Sequence, residues 1–537
     1  VKEAIVYEIF PRSFSPSQQL SAITDDLERI KDLGANTIWL MPINPGPTNH
    51  GYEIMDYYGI EEDIGTEDDF RELVNRAHDL DLKVILDMVI NHSSIQHPFM
   101  RHAMRNGEIS PYWDWYERNP DGSHKFYYDW YNLPNLNFDN PDVREYFIKM
   151  SLDWVQKYDI DGFRCDVAWG PQERNSQFWK EWRTALKSIK PDLLLLGEAS
   201  SNDWGILNDR FDLAYDWALH HEGVSSFINM FPRVASLDNL HQLITNYGVG
   251  WPDHKGAFRF IENHDEQRFI DFNTVKQTKL AATLLFTIPG VPMISAGQEI
   301  GEKSQRGLIN WSADPDSLLP FYKSLTSARN RLPALVYGDV VRLGANQSMI
   351  YAMGRHRYIL GEERVVVAAN FMSNPLPDSK IYLPLFDWML EHYSTYKITD
   401  EMSGDIRYML GHEIDTLNIY LDAYSARIFS IADSVTVIPE PEPEPFTYFL
   451  DQCYPNPFNQ GTIINFGIAD NAEVSINIYD VTGRLVAKLI NGDLKAGNHS
   501  IYWNGESLTG TDISNGIYFY RIKADSFTKT NKMVLVK

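Results

Sequence analysis

The stretch GFRCDVAW, residues 162–169, ends an apolar run with an arginine and an aspartate two positions apart. In a strand, side chains at that spacing point to the same side. Arg164 and Asp166 are therefore expected to project together from the strand's mouth. A neighbouring arginine favours the ionised aspartate, and an ionised carboxylate serves as a nucleophile or charge stabiliser rather than a general acid. An ion pair that merely anchors a strand would read the same way in isolation, so the decision rests on the surrounding chain.

Outward from that stretch, short apolar strands alternate with amphipathic helices. Before it, VYEIFPRSF (6–14) reads as a strand running into a loop, and TIWLMPI (37–43) and KVILDMVINH (83–92) read as strands. LLLLGEA (193–199), FDLAYDW (211–217), AFRFIENH (257–264) and VPMIS (291–295) read as strands after it. Between them, Leu20, Ile23, Leu27, Ile30 and Leu33 recur at helical spacing. Thr66 with Asp69 caps a helix over 67–80, and Asn140–Pro141 opens another. Helices are also expected over 176–190, 274–286 and 318–330. Eight apolar strands alternating with helices predict an α/β fold, a closed (β/α)8 TIM barrel over residues 1–337. An open doubly wound sheet is its structural rival.

The 93–136 segment is too long for a plain loop and is dense in aromatics, in PYWDWYERN (111–119) and KFYYDWYNLPNLN (125–137). It is read as an inserted subdomain that walls one side of a cleft, with most of its Tyr and Trp residues packing its own core. From 338 to 432 the pattern changes to period two, in MIYAMGR (349–355), RVVVAANF (364–371) and AYSARIFSIA (423–432), predicting an all-β domain. PEPEPEP (439–445) lies in a 433–446 linker of extended, semi-rigid character. Residues 447–537 alternate again and predict a second, small β-sandwich.

The chain of 537 residues carries a formal net charge of −25, which argues against nucleic acid and anionic membranes as partners. No apolar run approaches the roughly 18 residues of a membrane span. With 29 Tyr, 27 Phe and 14 Trp, the chain has many flat side chains able to stack on sugar faces, although most such rings fill cores. Cys165 and Cys453 make no disulfide framework. The N-terminus has no signal-peptide pattern and no initiating Met, as expected of a trimmed or mature product.

Four strand ends carry the polar groups: Asp87, Asn91 and His92; Arg164 and Asp166; Glu198; and Asn263, His264 and Asp265. Carboxylates converging on one barrel mouth repel one another, which suits a reaction that develops positive charge. Retaining glycoside hydrolysis is such a reaction, with nucleophile and acid/base carboxyls about 5–5.5 Å apart. Asp166 is then the nucleophile, Glu198 the acid/base, and Asp265 orients the sugar.

DMVINH (87–92), GFRCDVAW (162–169), LLGEA (195–199) and FIENHD (260–265) together resemble, in order and spacing, the signature stretches of the alpha-amylase family of retaining glycoside hydrolases. GANTIWLMPINP (34–45), HGY (50–52), LPNLN (133–137) and GVPMISAGQEIG (290–301) extend the resemblance. It implies the same three catalytic carboxylates, with Arg164, His92, His264, Asn263 and His50 binding the sugar and Tyr52 stacking on it. Asp87 resembles a buried aspartate that supports the site. The resemblance implies no cofactor for the chemistry. It leaves a structural calcium open: Asn91 matches a calcium ligand of many members, while Trp169 and Gly170 stand where many place Lys-His.

Asn49-His50 before Gly-Tyr resembles endo-acting amylases and leads to the expectation of a secreted endo-acting alpha-amylase cutting internal α-1,4 bonds of starch-type glucans. DVA (166–168) and LPNLN point instead to the alternative, a neopullulanase- or cyclomaltodextrinase-like α-glucan hydrolase or transglycosylase. Relatives that only bind have lost the carboxylates and tend to carry a membrane span, unlike this chain. YPNPFN (454–459), YDVTGR (479–484), GIYFYR (516–521) and KMVLVK (532–537) resemble the sorting domain read by the type-nine secretion system, implying secretion machinery as a partner and a secreted or cell-surface location. The rival is a carbohydrate-binding sandwich with Trp503 as its platform.

Overall fold

The computed structural model describes residues 1–222, 226–227, 229, 237–245, 256–357, 363–434, 447–511 and 513–536, with Trp204 by its main chain only. The 439–445 PEPEPEP stretch lies outside the described residues. The chain forms two compact units, Val1–Ser434 and Val435–Lys537.

In the first unit, eight strands close a parallel barrel: β1 (Val6–Ile9), β2 (Thr37–Leu40), β3 (Lys83–Met88), β4 (Gly162–Cys165), β5 (Leu194–Ser200), β6 (Leu213–Tyr215), β7 (Ala257–Arg259) and β8 (Val291–Ser295). These are the strands expected from the apolar runs, and closure excludes the open sheet. Alternate side chains face inward. Val6, Trp39, Ile85, Leu194, Leu196, Tyr215, Phe258 and Met293 fill the interior as one cluster. The intervening side chains, such as Tyr7, Ile38, Leu86 and Phe163, pack outward on the helices. Inward-facing polar groups near the strand ends, Glu8, Asp87 and Arg164, follow from the same alternation.

The helices capped by Thr66 and Asn140 begin where the sequence places them, and a further capping box appears at Thr274. Thr66 and Asp69 form a reciprocal capping box on Glu67–Asp79, as do Thr274 and Gln277 on Val275–Thr287, and Asn140 caps Pro141–Tyr158. One reading is corrected: the apolar series from Leu20 to Leu33 is two helices, Leu20–Asp25 and Leu27–Leu33. Asp26 leaves the helical region at φ −104°, ψ 4°, while its carboxylate accepts from Arg29 Nε at 2.6 Å.

The 93–136 insertion holds a helix, Pro98–Asn106, and a short hairpin of Phe126–Tyr127 with Trp130–Pro134. Beyond Leu318–Arg331 the chain forms a six-stranded and a three-stranded antiparallel sheet packed around Ile350, Val366, Ile381, Leu417 and Phe429. Arg355 ties this part to the barrel by donating to the Thr287 carbonyl at 2.6 Å.

The second unit contains a three-stranded and a four-stranded antiparallel sheet around its own core of Ile464, Phe466, Ile476, Trp503, Tyr520 and Met533. Trp503, the residue a sugar platform would have needed, is 3% exposed. Its ring packs on Phe458 and Tyr518, and its N–H donates to the Glu506 carbonyl.

Candidate active site

Strand register creates the centre of the site. Asp87 on β3 lies directly opposite Arg164 on β4, and Arg164 opposite Leu196 on β5. The buried guanidinium is thereby surrounded by carboxylates from three strand ends. Its Nη1 donates to both Asp87 oxygens at 3.0 Å and to Asp166 Oδ1 at 3.1 Å. Nη2 meets Glu198 Oε2 at 2.9 Å, and Nε donates to the Tyr215 hydroxyl at 3.1 Å. Glu198 Oε2 also accepts the Val167 backbone N–H at 2.8 Å, which fixes it beside the Asp166 turn.

The expectation that an adjacent arginine keeps Asp166 ionised needs correction. Burial pushes the Asp166 carboxyl well above its ordinary value, the Glu198 charge adds to this, and Arg164 opposes both. The cause is sharing, since one guanidinium serves Asp87, Asp166 and Glu198 together. Asp87 and Asp265 add to the repulsion, so Arg164 is the one influence among these that favours the Asp166 anion.

The remaining predicted residues assemble around this centre. His264 is buried; its Nδ1–H donates to Glu8 Oε1 at 2.6 Å, and its Nε2 lies 2.8 Å from the Tyr52 hydroxyl and 3.1 Å from Asp265 Oδ2. Burial alone would strip its proton, but the Glu8 charge and the bonds to Asp265 and Glu8 raise it to about 10. At the rim, burial pushes the Asp265 carboxyl up, yet the His264 bond and charge, with Arg164 and Arg306, hold it well below the carboxylate range. Tyr52 stacks on His264 with centroids 5.6 Å apart and donates its hydroxyl to Asp87 at 3.1 Å. His50 lies at the mouth, its Nδ1 accepting the Tyr52 backbone N–H. Asn263 is buried, and its side-chain oxygen accepts the backbone N–H groups of Asp265 and Glu266, so it shapes the turn that presents Asp265.

His92 is buried with Nε2–H donating to the Tyr52 carbonyl at 3.0 Å and Nδ1 accepting from Asn91 Nδ2 at 3.0 Å. Burial holds it neutral, lowering it to about 4. Asn91 itself faces a cation supplied by the chain. Arg174 Nη2 donates to Asn91 Oδ1 at 2.7 Å, its Nη1 to the Asn91 carbonyl at 2.9 Å and the Leu136 carbonyl at 3.3 Å, and its Nε meets Glu117 at 2.8 Å. A calcium requires such oxygens free to converge on it, and here a guanidinium takes them. The residues therefore do not fit the ion. Gly170 belongs to the same arrangement, because a Cβ there would come within 2.1 Å of Asn91 Oδ1. Among the described residues, His220, His221 and Glu266 form a group close enough to share an ion, but two imidazoles suit a transition metal rather than calcium.

Four contributors escaped the sequence reading: Glu8, Tyr215, Arg174 and Arg306. Glu8 had a signal, a lone acid inside the apolar run VYEIF. Arg306 comes from the loop after β8, where no local pattern marks it.

Residues 8–335 match the family model of the alpha-amylase catalytic domain. The chain belongs to the alpha-amylase family. It is a glycoside hydrolase of the retaining type that the family shares. Residues 452–537 match the secretion system C-terminal sorting domain. The family member is 32% identical over 429 residues to Alpha-amylase 3 of Dictyoglomus thermophilum, covering 69% of this chain and 85% of that protein. It is 30% identical over 416 residues to a cyclomaltodextrinase of Thermoanaerobacter pseudethanolicus, covering 68% of this chain and 70% of the other. A solved cyclomaltodextrinase superposes with a TM-score of 0.69 at 25% identity, covering 81% of this chain and 78% of that one.

These relatives overturn the expectation of a secreted endo-acting alpha-amylase. Cyclomaltodextrinases match 68–81% of this chain, in agreement with the alternative drawn from DVA and LPNLN. Asn49-His50 was too short a feature to decide the cleavage mode. The sorting domain points to export or the cell surface. Among the described residues no helix is long and apolar enough to cross a membrane.

Proposed function

We propose that this family member is a cyclomaltodextrinase-like α-glucan hydrolase, exported through machinery that reads its C-terminal domain. The observation that carries the proposal is the Arg164 guanidinium, which touches Asp166 and Glu198 with adjacent nitrogens. A nucleophile and an acid/base must lie within one sugar ring of each other for a covalent glycosyl intermediate to form and be hydrolysed.

In this reading Asp166 attacks the anomeric carbon as the glycosidic bond breaks, and Glu198 gives its proton to the departing oxygen. Water then enters, Glu198 takes its proton, and the Asp166–sugar ester opens with net retention. Asp265, held ionised by His264 and Arg306, grips sugar hydroxyls and steadies the oxocarbenium-like charge. Tyr52, stacked on His264, offers its ring to the sugar at the cleavage point, and His92 holds the Tyr52 main chain in place by giving its N–H to the Tyr52 carbonyl. The substrate class follows from the cyclomaltodextrinase relatives together with DVA and LPNLN.

Product time courses from β-cyclodextrin, pullulan and amylose test this. Ring opening faster than amylose cleavage, with panose from pullulan, is expected. No sugar release from any of the three by folded protein would overturn the proposal.

A further inference from the structure

β6 and β7 pair side by side in the barrel, and the loops beyond them carry side chains that the proposed hydrolysis does not use. After β6, Ala218–Glu222 forms a single π turn. Such turns are rare and recur at functional sites. Successive side chains of an ordinary helix diverge by about 100°, but here two successive imidazoles face each other, with His220 Nδ1 and His221 Nδ1 2.9 Å apart. Glu266, after β7, completes the group: one ligand atom each from His220, His221 and Glu266 lie within 4.8 Å of one another. Its backbone N–H donates to Asn263 Oδ1 at 2.9 Å, which fixes the main chain that brings its carboxylate to the imidazoles.

The hydrogen bonds leave the nitrogens available to a cation. His220 is buried, and its Nε2 lies 3.3 Å from the Ile261 carbonyl, which can only accept. Nε2 therefore carries the proton and Nδ1 the lone pair, an arrangement that backbone carbonyls commonly impose on metal-binding histidines. In the absence of an ion, His221 Nδ1–H donates to that lone pair. His221 is exposed, so its proton can move to Nε2, in water, and leave two lone pairs aimed at one point. Aromatic neighbours hold both rings in place: the Phe260 centroid lies 4.6 Å from that of His220, and the Trp217 centroid 5.3 Å from that of His221.

We propose that His220, His221 and Glu266 bind one divalent transition-metal ion of the Zn²⁺ class beside the barrel mouth. Two imidazoles and a carboxylate, with a fourth position left to water, are a ligand set that zinc takes in proteins. Bonds of about 2.0–2.1 Å at the tetrahedral angle place two nitrogens about 3.3 Å apart, so the imidazoles need part by only about 0.4 Å. Calcium, which takes six to eight oxygens, finds no such shell in this group. With one ligand exposed and one half-buried, the ion enters from solvent and returns to it, and the fold does not depend on it.

The test uses the metal-free full chain, prepared without a histidine tag. Zn²⁺ uptake is measured by calorimetry, and uptake of Co²⁺, which accepts the same ligands, by its visible absorption. The substitutions are His221→Gln and Glu266→Gln, which spare the buried His220. Expected are one Zn²⁺ per chain, a rise in its Kd of about tenfold or more with either substitution, and loss of the Co²⁺ bands in both. His412→Gln, in an exposed imidazole whose ring centroid lies 5.0 Å from that of His392, should change neither readout. An excess of Ca²⁺ should leave the bands of the wild type in place. No uptake by the wild type, equal uptake by the wild type and the two variants, or displacement of Co²⁺ by Ca²⁺ would overturn the site.

Discussion

His264 Nδ1 lies 2.6 Å from Glu8, and its other nitrogen lies 3.1 Å from Asp265, so one imidazolium joins two carboxylates across the barrel mouth. Glu8 comes from the first strand and is buried among apolar side chains, whereas Asp265 faces the cleft. The protonation of His264 therefore links a residue that sugar does not touch to one proposed to grip it.

Glu8→Gln removes the charge that, against burial, holds His264 at about 10. The wild-type cation persists below that pH and is lost as pH rises through it. Its stabilising contribution is likewise complete below the unfolded value of about 6.5 and disappears on passing about 10. In the variant, the His264 titration followed by NMR should move down by more than one pH unit. A titration that stays in place would show that Glu8 does not hold the His264 proton.

Arg174 predicts indifference to chelators. Its guanidinium already satisfies Asn91, Leu136 and Glu117, so EDTA should leave the Tm of the wild type unchanged. Arg174→Met should lower it, because Asn91, Leu136 and the partly buried Glu117 all lose the donor they share. Thermal denaturation with and without chelator checks both; a large EDTA-induced drop in the wild type would contradict the placement.

These two features also show where the sequence stops being readable. The strands, the caps and the three proposed catalytic carboxylates are local: apolar runs, Thr66/Asp69 and Thr274/Gln277 pairs, and acids at strand ends. The partners of those acids are not. Arg164 stands two positions before Asp166 in sequence, yet its division among Asp87, Asp166 and Glu198 depends on the register of three strands. Arg174 reaches Glu117 across a gap of more than fifty residues, and nothing in the local pattern of either residue encodes that meeting. Cleavage mode was less readable still, since Asn49-His50 and DVA pointed in different directions.

Glu198→Gln and Asp166→Asn should each reduce kcat by about 10²–10⁴ or more on natural glucans. They should differ on a glucosyl substrate whose leaving group needs no proton, such as a fluoride. Glu198→Gln should then regain much of its first-step rate, because the acid is no longer required, while Asp166→Asn should not, because the attacking oxygen is gone. Equal rescue of both would refute the assignment of roles.

The C-terminal unit should be dispensable for catalysis and glucan binding. It folds around its own core, and the ring that a sugar platform would have used, Trp503, is enclosed by Phe458 and Tyr518 with its N–H bonded to the Glu506 carbonyl. A chain ending at Ser434 keeps the whole of the first unit, including the barrel and the two sheets that follow it. Its KM for soluble starch and its retention by insoluble starch should stay within about twofold of the full chain, well under the roughly 1.4 kcal/mol of a tenfold change. Its export should fail, since the residues matching the sorting domain, 452–537, are gone. Comparing activity in the medium and on the cell surface with activity retained inside measures that loss. A truncated chain that loses starch affinity yet still leaves the cell would reverse the assignment and make the sandwich a carbohydrate-binding module.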